Sequence, residues 1–220
     1  MDDGKTWHWD SGGLVGWSYR PMARRDGRLV PLDLERQETR KPWLCELVGR
    51  LPALLGDFAY PSRVHVNAQG KGDDACVIDW QDEGGRSTLL TFLQRELAKE
   101  VLCYLNLTCL DRDLEPLEIT HGAAFWINLW VDESGSLDLA SDAPVYLRLE
   151  LNADIYAPWS FGDVQDNALL ASLNGPRLTS FLERLERDVP AQLLGMDGER
   201  YSGLVGPRGF TAPANTFRGA

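Results

Sequence analysis

Apolar and polar residues alternate most regularly at positions 145–156. Six apolar side chains, from Val145 to Ile155, are separated by six polar or aromatic ones, from Tyr146 to Tyr156. Because successive side chains of a β-strand point to opposite faces of a sheet, the pattern predicts one long strand. One face of this strand would lie in the core and the other would contact water. A second run with the same period covers residues 125–131.

Shorter runs elsewhere also have strand character. The pair Asp26-Gly27 lies between two of them and is a strong signal for a tight hairpin turn. The run at residues 101–109 is rich in β-forming residues. Its apolar stripe would equally allow the helix predicted for residues 87–100 to extend to Leu105. We favour the strand. The predicted short strands cover residues 14–20, 28–34, 63–68, 75–81, 101–109 and 137–139.

Four segments repeat apolar residues with the period of an amphipathic helix. Pro176 suits the first position of the last one, whereas Pro52 allows the first one to break into a helix and a further turn. Together with the strands, these helices predict an α+β fold, in which three or four amphipathic helices pack on a mostly antiparallel meander sheet of six to eight strands. The predicted helices cover residues 43–55, 87–100, 166–173 and 176–189.

The sequence divides into a folded part and two ends without an apolar period. Residues 1–202 contain no linker and no internal repeat, which favours a single domain. Residues 1–12 look like a loosely held arm at the start of that domain. Residues 203–220 are dominated by Gly, Pro, Thr and Ala, and we expect a flexible tail there.

Charge is distributed unevenly along the 220 residues. The segment 70–142 holds 15 of the 33 acidic residues and five of the 22 basic ones, a net charge of −10 out of −11 for the whole chain. Such a field repels nucleic acid and anionic lipid and attracts cations or basic proteins. We therefore expect a basic protein partner, and neither nucleic acid nor membrane as a ligand.

The sequence contains no membrane or cofactor signature. Its longest uncharged apolar run covers 13 residues, 119–131, and a membrane helix needs about 20. The first five residues are polar and acidic, which is unlike a secretory signal. Cys45, Cys76, Cys103 and Cys109 have no metal-like or redox-like spacing. We expect a cytoplasmic protein with free thiols and no cofactor.

Two groups of carboxylates are candidates for binding. Alternate carboxylates on a loop can hold Ca²⁺ or Mg²⁺, but the second group lacks the glycine and the distant glutamate of a calcium loop, so we favour solvated turns over a metal site. As a recognition surface for a basic partner, both groups remain candidates. The first group is Asp73, Asp74, Asp82 and Glu83, and the second is Asp111, Asp113 and Glu115.

A catalytic site is a weaker possibility. His8, His65 and His121 are the only histidines, and the chain has no nucleophile elbow or phosphate-binding loop. Carboxylate pairs, Glu150 with Asp154 or Asp132 with Glu150, would be expected on any exposed sheet face. We assign no catalytic residue.

Trp126 and Trp130 suggest a second kind of binding surface. Both lie on the face of the 125–131 strand that is opposite its apolar stripe, and Tyr146 and Tyr156 would lie on the polar face of the long strand. If the two strands are neighbours, these rings form an aromatic platform with Asn128, Arg148 and Glu150. The alternative is that the predicted helices cover this face, which would place the rings in a second layer of core.

Two classes of function remain open. The first is a non-enzymatic acidic binding protein that docks on a basic partner, as an immunity protein does with a toxin encoded nearby, or an adaptor with its client. The second is a small hydrolase or transferase whose site is assembled from dispersed residues, with His65, His121 and the carboxylates as candidates. A histidine and a carboxylate meeting in a concave pocket would favour the second class.

Overall fold

The structure, a computed structural model, describes residues 7–160 and 165–211. Three α-helices and a set of short and long strands alternate along this part of the chain, with one 3₁₀ turn at Glu199–Tyr201. The elements are β1 (Val15–Arg25), β2 (Arg28–Pro31), α1 (Gln37–Leu55), β3 (Ala59–Ala68), β4 (Gly72–Asp79), α2 (Gly85–Arg95), β5 (Ala98–Leu110), β6 (Pro116–Leu129), β7 (Val145–Leu151), β8 (Trp159–Ser160), β9 (Gln165–Asp166), α3 (Ala168–Asp188), β10 (Ala191–Asp197), β11 (Val205–Gly206) and β12 (Gly209–Phe210).

One sheet of eight strands organises the fold. Its order is β10-β1-β7-β6-β5-β3-β4, with β2 paired to the outer half of β1, and every pair is antiparallel. Consecutive strands β5, β6 and β7 lie side by side, so the centre of the sheet is a meander. The predicted α+β class with a mostly antiparallel sheet is therefore confirmed.

All three helices pack on the same face of this sheet, which we call the covered face. Phe181 of α3 stacks on Phe58 with ring centroids 5.0 Å apart, and its ring meets the edge of Phe125 from β6. Leucines of α1 and α2, including Leu51 and Leu89, belong to the same buried core. The strands supply the other half of this core, because every second side chain along a strand points towards the helices.

The predicted long strand is shorter than its alternation suggests. Strand β7 ends at Leu151, and every residue from 152 to 157 is buried. Asn152 donates from Nδ2 to the His121 carbonyl at 2.9 Å, and Asp154 accepts a hydrogen bond from the His8 backbone N–H at 2.5 Å. Asn152 and Asp154, two polar members of the pattern, thus bind neighbouring segments inside the protein. The alternation of apolar and polar residues therefore continues beyond the end of the strand. Tyr156 is therefore in the core and not on the polar face.

The boundaries of all three helices differ from the sequence prediction, and the predicted helices 166–173 and 176–189 form one helix, α3. Helix α1 begins at Gln37 and continues through Pro42 and Pro52, and α3 continues through Pro176. All three prolines are exposed, so they lie on the outer sides of their helices. Helix α2 ends at Arg95, because residues from Ala98 onward pair along their length with both β3 and β6. The strand alternative for 101–109 is thus confirmed.

Both predicted loose ends contact the core within the described residues. The Asp10 N–H donates to the Asn152 carbonyl at 2.8 Å, which corrects the picture of a loose arm for the part that begins at residue 7. Residues 205–210 form the hairpin β11–β12, and the Trp17 indole donates to the Gly206 carbonyl at 2.8 Å. Residues 205–210 belong to the segment 203–220, where composition predicts a flexible tail. Residues 1–6 and 212–220 lie outside the described part of the chain.

Candidate functional site: the open face of the sheet

The opposite face of the main sheet, which we call the open face, has no described helix on it. Cross-strand pairing arranges its side chains in three rows that run across the sheet. Most of these side chains are half-buried by their neighbours alone. The first row is Asn67, Glu100, Asn128 and Tyr146; the second is His65, Leu102, Trp126, Arg148 and Ser18; the third is Tyr104, Ala124, Glu150, Gly16 and Asp197.

An arginine clamp occupies the β7–β1–β10 side of the open face. Arg148 donates from Nη1 and Nη2 to the two carboxylate oxygens of Asp197, at 2.5 and 2.8 Å, and from Nε to Glu150 at 3.1 Å. The guanidinium lies directly over Gly16, where a Cβ would come within 2.5 Å of it. The hydrogen bonds to Asp197 raise the pKa of Arg148 and outweigh the opposing effect of its burial. This charge is therefore satisfied within the chain.

Aromatic rings occupy the other side of the open face. The ring of Tyr104 lies between those of His65 and His121, with centroids 5.3 and 5.2 Å away. His65 Nδ1 is 2.6 Å from the carboxylate of Asp74, and its Nε2 is buried with no hydrogen-bond partner in the described part of the chain. Sequence analysis found the two histidines, but it had no signal that Tyr104 would bring them together.

Trp126 lies near the centre of the same face. Its cross-strand neighbours are Leu102 on β5 and Arg148 on β7. The indole Nε1 is buried and has no partner among the described residues. The predicted aromatic platform thus forms from Trp126, Tyr146 and the adjacent Tyr104, without Tyr156.

Trp130 stands one residue beyond the end of β6. Its backbone N–H donates to the Pro144 carbonyl at 2.8 Å, and its carbonyl accepts from Asp138. The residue is 55 % exposed. Its side chain is therefore held at the rim of the open face, where an approaching molecule would meet it.

A recess of about 280 Å³ opens beside Trp130. Asn67 fixes one of its walls, because its Nδ2 donates to Glu100 at 2.9 Å and its Oδ1 accepts from the Asp74 backbone at 2.8 Å. Burial, followed by the charge of Asp73, raises the pKa of Glu100. The residues that line the recess are Asn67, Asp73, Lys99, Glu100, Asn128, Leu129, Trp130 and Val131.

The predicted acidic residues separate into two groups at opposite ends of the sheet. Asp73 and Asp74 begin β4, next to the recess, and Asp82 and Glu83 follow the far end of that strand. Asp79 is six residues further along the strand than Asp73, which corresponds to about 20 Å. The structure therefore brings only two of the predicted carboxylates to the open face, together with Trp126 and Trp130.

The β5–β6 turn shares the far end of the sheet with Asp82 and Glu83. The carboxylate of Asp111 accepts the backbone N–H groups of Asp113 and Glu115, both at 2.9 Å. This carboxylate thus shapes the turn, and Asp113 and Glu115 are exposed. No group of three or more His, Cys, Asp or Glu side chains in the described ranges is arranged to hold a metal ion.

Glu100 and Asp197 are two members of the open face that the sequence pattern does not indicate. Glu100 falls at the end of the predicted helix 87–100, and the β-formers that follow it are the available signal for an earlier strand start. Asp197 lies on β10, a strand that no alternation indicated. Glu150 accepts from Arg148, whereas Asp154 accepts from the His8 backbone N–H and the Tyr201 hydroxyl, so the structure does not bring Glu150 and Asp154 together as a carboxylate pair.

Comparison with known proteins gives no relative. No family model, no curated protein and no solved structure matches the chain. Among the helices of the described residues, none is both long and apolar enough to cross a membrane. Proposals about function therefore depend on the geometry of the open face.

Proposed function

We propose that this chain is a non-enzymatic binding protein that docks a basic protein partner on the open face of its sheet. The observation that carries the proposal is the uncovered face itself, where half-buried rings and polar groups form an ordered surface without a helix. Immunity proteins that neutralise a toxin, and adaptors that bind a client, are the protein classes that work in this way. Such a partner would be encoded close to this chain.

Charge and aromatic content both support a protein ligand. The acidic segment 70–142 supplies β4, α2, β5 and β6, so one half of the sheet carries the excess negative charge. Trp and Tyr side chains are enriched among the residues that dominate protein–protein affinity. Tyr104 and Trp126 lie on this half, and Tyr146 lies on the adjoining strand β7. The Arg148 clamp borders this half of the sheet, and the charge of Arg148 is already neutralised by Asp197 and Glu150.

The test is affinity capture from the source cells, with the product of the adjacent gene examined first. If electrostatic steering operates, association with the identified partner should slow as salt shortens the Debye length to about 8 Å or less. Asp73→Asn with Asp74→Asn should slow association. Asp82→Asn with Glu83→Gln, at the far end of the sheet, should have less effect. A rate that is insensitive to salt and to both pairs would contradict a steering role.

A hydrolase or transferase is the second candidate, and the pairing of His65 with Asp74 is the observation that favours it. A carboxylate on Nδ1 leaves Nε2 able to accept a proton, which is how a general base is oriented. The pair lies on the open face, and neither residue lines the recess beside Trp130 or any of three other recesses formed by the described residues. Loss of partner binding in His65→Gln without any turnover of candidate substrates by the parent chain would favour the binding protein.

A further inference from the structure

The recess beside Trp130 combines two kinds of wall. Leu129, Trp130 and Val131 supply an apolar side, and carboxylates and amides supply the other. Hard cations such as Ca²⁺ and Mg²⁺ prefer sites lined by several oxygen ligands, and only Asp73 and Glu100 supply carboxylates here. The walls instead match an elongated group with an apolar stem and a positively charged head.

The two carboxylates have no cation of their own. Neither Asp73 nor Glu100 forms an ion pair within the described ranges, whereas Arg148 on the same face is paired with Glu150 and Asp197. Lys99 lines the rim, but its ammonium is not within 4.0 Å of a described carboxylate, and the residue is exposed. Glu100 is half-buried, so its charge is partly removed from water and would gain from a close cation.

Trp130 adds a second attraction for a cation. An indole face attracts Lys or Arg, and the effect is ~0.5–1 kcal/mol at exposed sites and larger when water is excluded. The lysine and arginine stems also bury well against apolar surface while their heads stay polar. A lysine or arginine side chain is therefore favoured by three features of the recess: the exposed indole, the apolar wall and the two carboxylates.

We propose that this recess receives one lysine or arginine side chain of the partner, with its charged head between Asp73 and Glu100 and its stem against Trp130. The proposal rests on the function proposed above and names the part of the basic partner that the open face recognises. Asn67 acts as a positioning residue, because it holds Glu100 while also binding the backbone of Asp74.

The direct test titrates the isotope-labelled full chain with tetralysine and follows the indole N–H signal of Trp130, identified by its loss in Trp130→Phe. We expect this signal to shift and saturate. Tetralysine acetylated on its side chains has the same backbone without the side-chain charges and should leave the signal in place. Glu100→Gln keeps a carbonyl oxygen for Asn67, so the recess should retain its shape, which a thermal melt checks.

Neutralising both carboxylates in Asp73→Asn/Glu100→Gln should weaken tetralysine binding about tenfold, the ratio that corresponds to ~1.4 kcal/mol. The matched control, Asp113→Asn/Glu115→Gln, removes the same charge from the far end of the sheet. It should change the affinity by less than about twofold, because exposed charges beyond a Debye length are screened. An unmoved Trp130 signal, or equal weakening by both pairs, overturns the assignment.

Failure of this inference and failure of the proposed function give different results with the identified partner. If Asp73→Asn/Glu100→Gln leaves partner affinity unchanged while Tyr104→Ala/Trp126→Ala removes it, the recess is not the recognition pocket and the open face still binds. If neither pair changes partner affinity, both proposals are wrong. If both double variants bind the partner more weakly and still melt normally, both proposals are supported.

Discussion

The two faces of the main sheet share one alternating pattern but differ in what stabilises them. On the covered face, side chains such as Trp17, Phe125 and Leu149 are fully buried against helices. On the open face, Trp126 and Arg148 are shielded only by their neighbours in the sheet. Alternation thus identifies two faces, but only the packing partner decides which of them is core and which is available for binding.

The covered face should tolerate charge least. Leu149→Asp places a carboxylate between Trp17 and Phe125, its cross-strand neighbours on β1 and β6. An unpaired buried charge costs several kcal/mol against a typical stability of about 5–15 kcal/mol, so this variant should unfold. Thermal and urea denaturation followed by circular dichroism measure the effect. A soluble Leu149→Asp protein with a normal melt would show that the assignment of faces is wrong.

The C-terminal hairpin extends the covered face beyond the strands. Phe210 meets the edge of Trp17 with centroids 6.3 Å apart, and Gly206 accepts the Trp17 indole N–H. Truncation after Ser202 should therefore lower the melting temperature by more than about 4 °C, roughly 1–2 kcal/mol for a chain of this size.

The matched control for this truncation ends the chain after Thr211, which keeps the hairpin. It should melt within about 2 °C of the full chain, a shift that corresponds to at most ~1 kcal/mol for a chain of this size. Equal melting of the full chain and the version that ends at Ser202 would instead support the flexible tail that composition predicts.

On the open face, the largest effect on stability should come from Gly16. In Gly16→Ala the new Cβ would meet the Arg148 guanidinium at 2.5 Å and force it away from Asp197 and Glu150. Because the side chain can move into solvent, we expect a loss of only about 1 kcal/mol. Comparison with Arg148→Gln in urea denaturation tests the cause. If the clamp is responsible, Gly16→Ala should cost little more in the Arg148→Gln background.

The cysteines report how readily the covered face opens, without any change to the fold. Burial raises the pKa of Cys103 to about 12 and that of Cys109 to about 11, whereas Cys45 and Cys76 are partly exposed. At pH 8 a thiol reagent should therefore label Cys45 and Cys76 first, and all four in urea. Rapid labelling of Cys103 in the native protein would mean that the covered face opens readily.

The same thiols predict a pH dependence. An unfolded cysteine ionises near pH 8.5, while the folded pKa values of Cys103 and Cys109 are about 12 and about 11. Their contribution to stability is thus complete below about pH 8.5 and is lost as the pH rises through the folded values. Cys103→Ala/Cys109→Ala should lower stability at neutral pH and flatten its decline above pH 9.

Sequence alone predicted the class of fold because hydrophobic periodicity is a local property that the sheet and the helices both obey. It failed where polar residues were recruited by distant segments. Asn152 and Asp154 continue the alternation beyond β7, but they bind His121 and His8. Pro176 likewise matches the start of a helix, but in the folded chain it is exposed and lies inside α3.

The candidate site was only partly predictable for the same reason. Trp126 and Asp73 could be named from the aromatic run and the local charge, but no local pattern placed Glu100 opposite Asn128 or Tyr104 between two histidines. Those neighbours depend on the pairing of β3, β5 and β6, which brings together residues tens of positions apart. The sequence likewise groups Asp73 and Asp74 with Asp82 and Glu83, whereas the structure places these two pairs at opposite ends of the sheet.

The most direct test of the account compares the dissociation constants of three chains with the identified partner. Tyr104→Ala/Trp126→Ala alters the open face, and Leu169→Ala alters the exposed side of α3, where Leu169 is 52 % exposed. The account predicts at least about a tenfold loss of affinity, ~1.4 kcal/mol, for the open-face pair alone, with all three chains still folded. Unchanged affinity for that pair, or an equal loss in Leu169→Ala, would contradict the assignment of the open face as the binding surface.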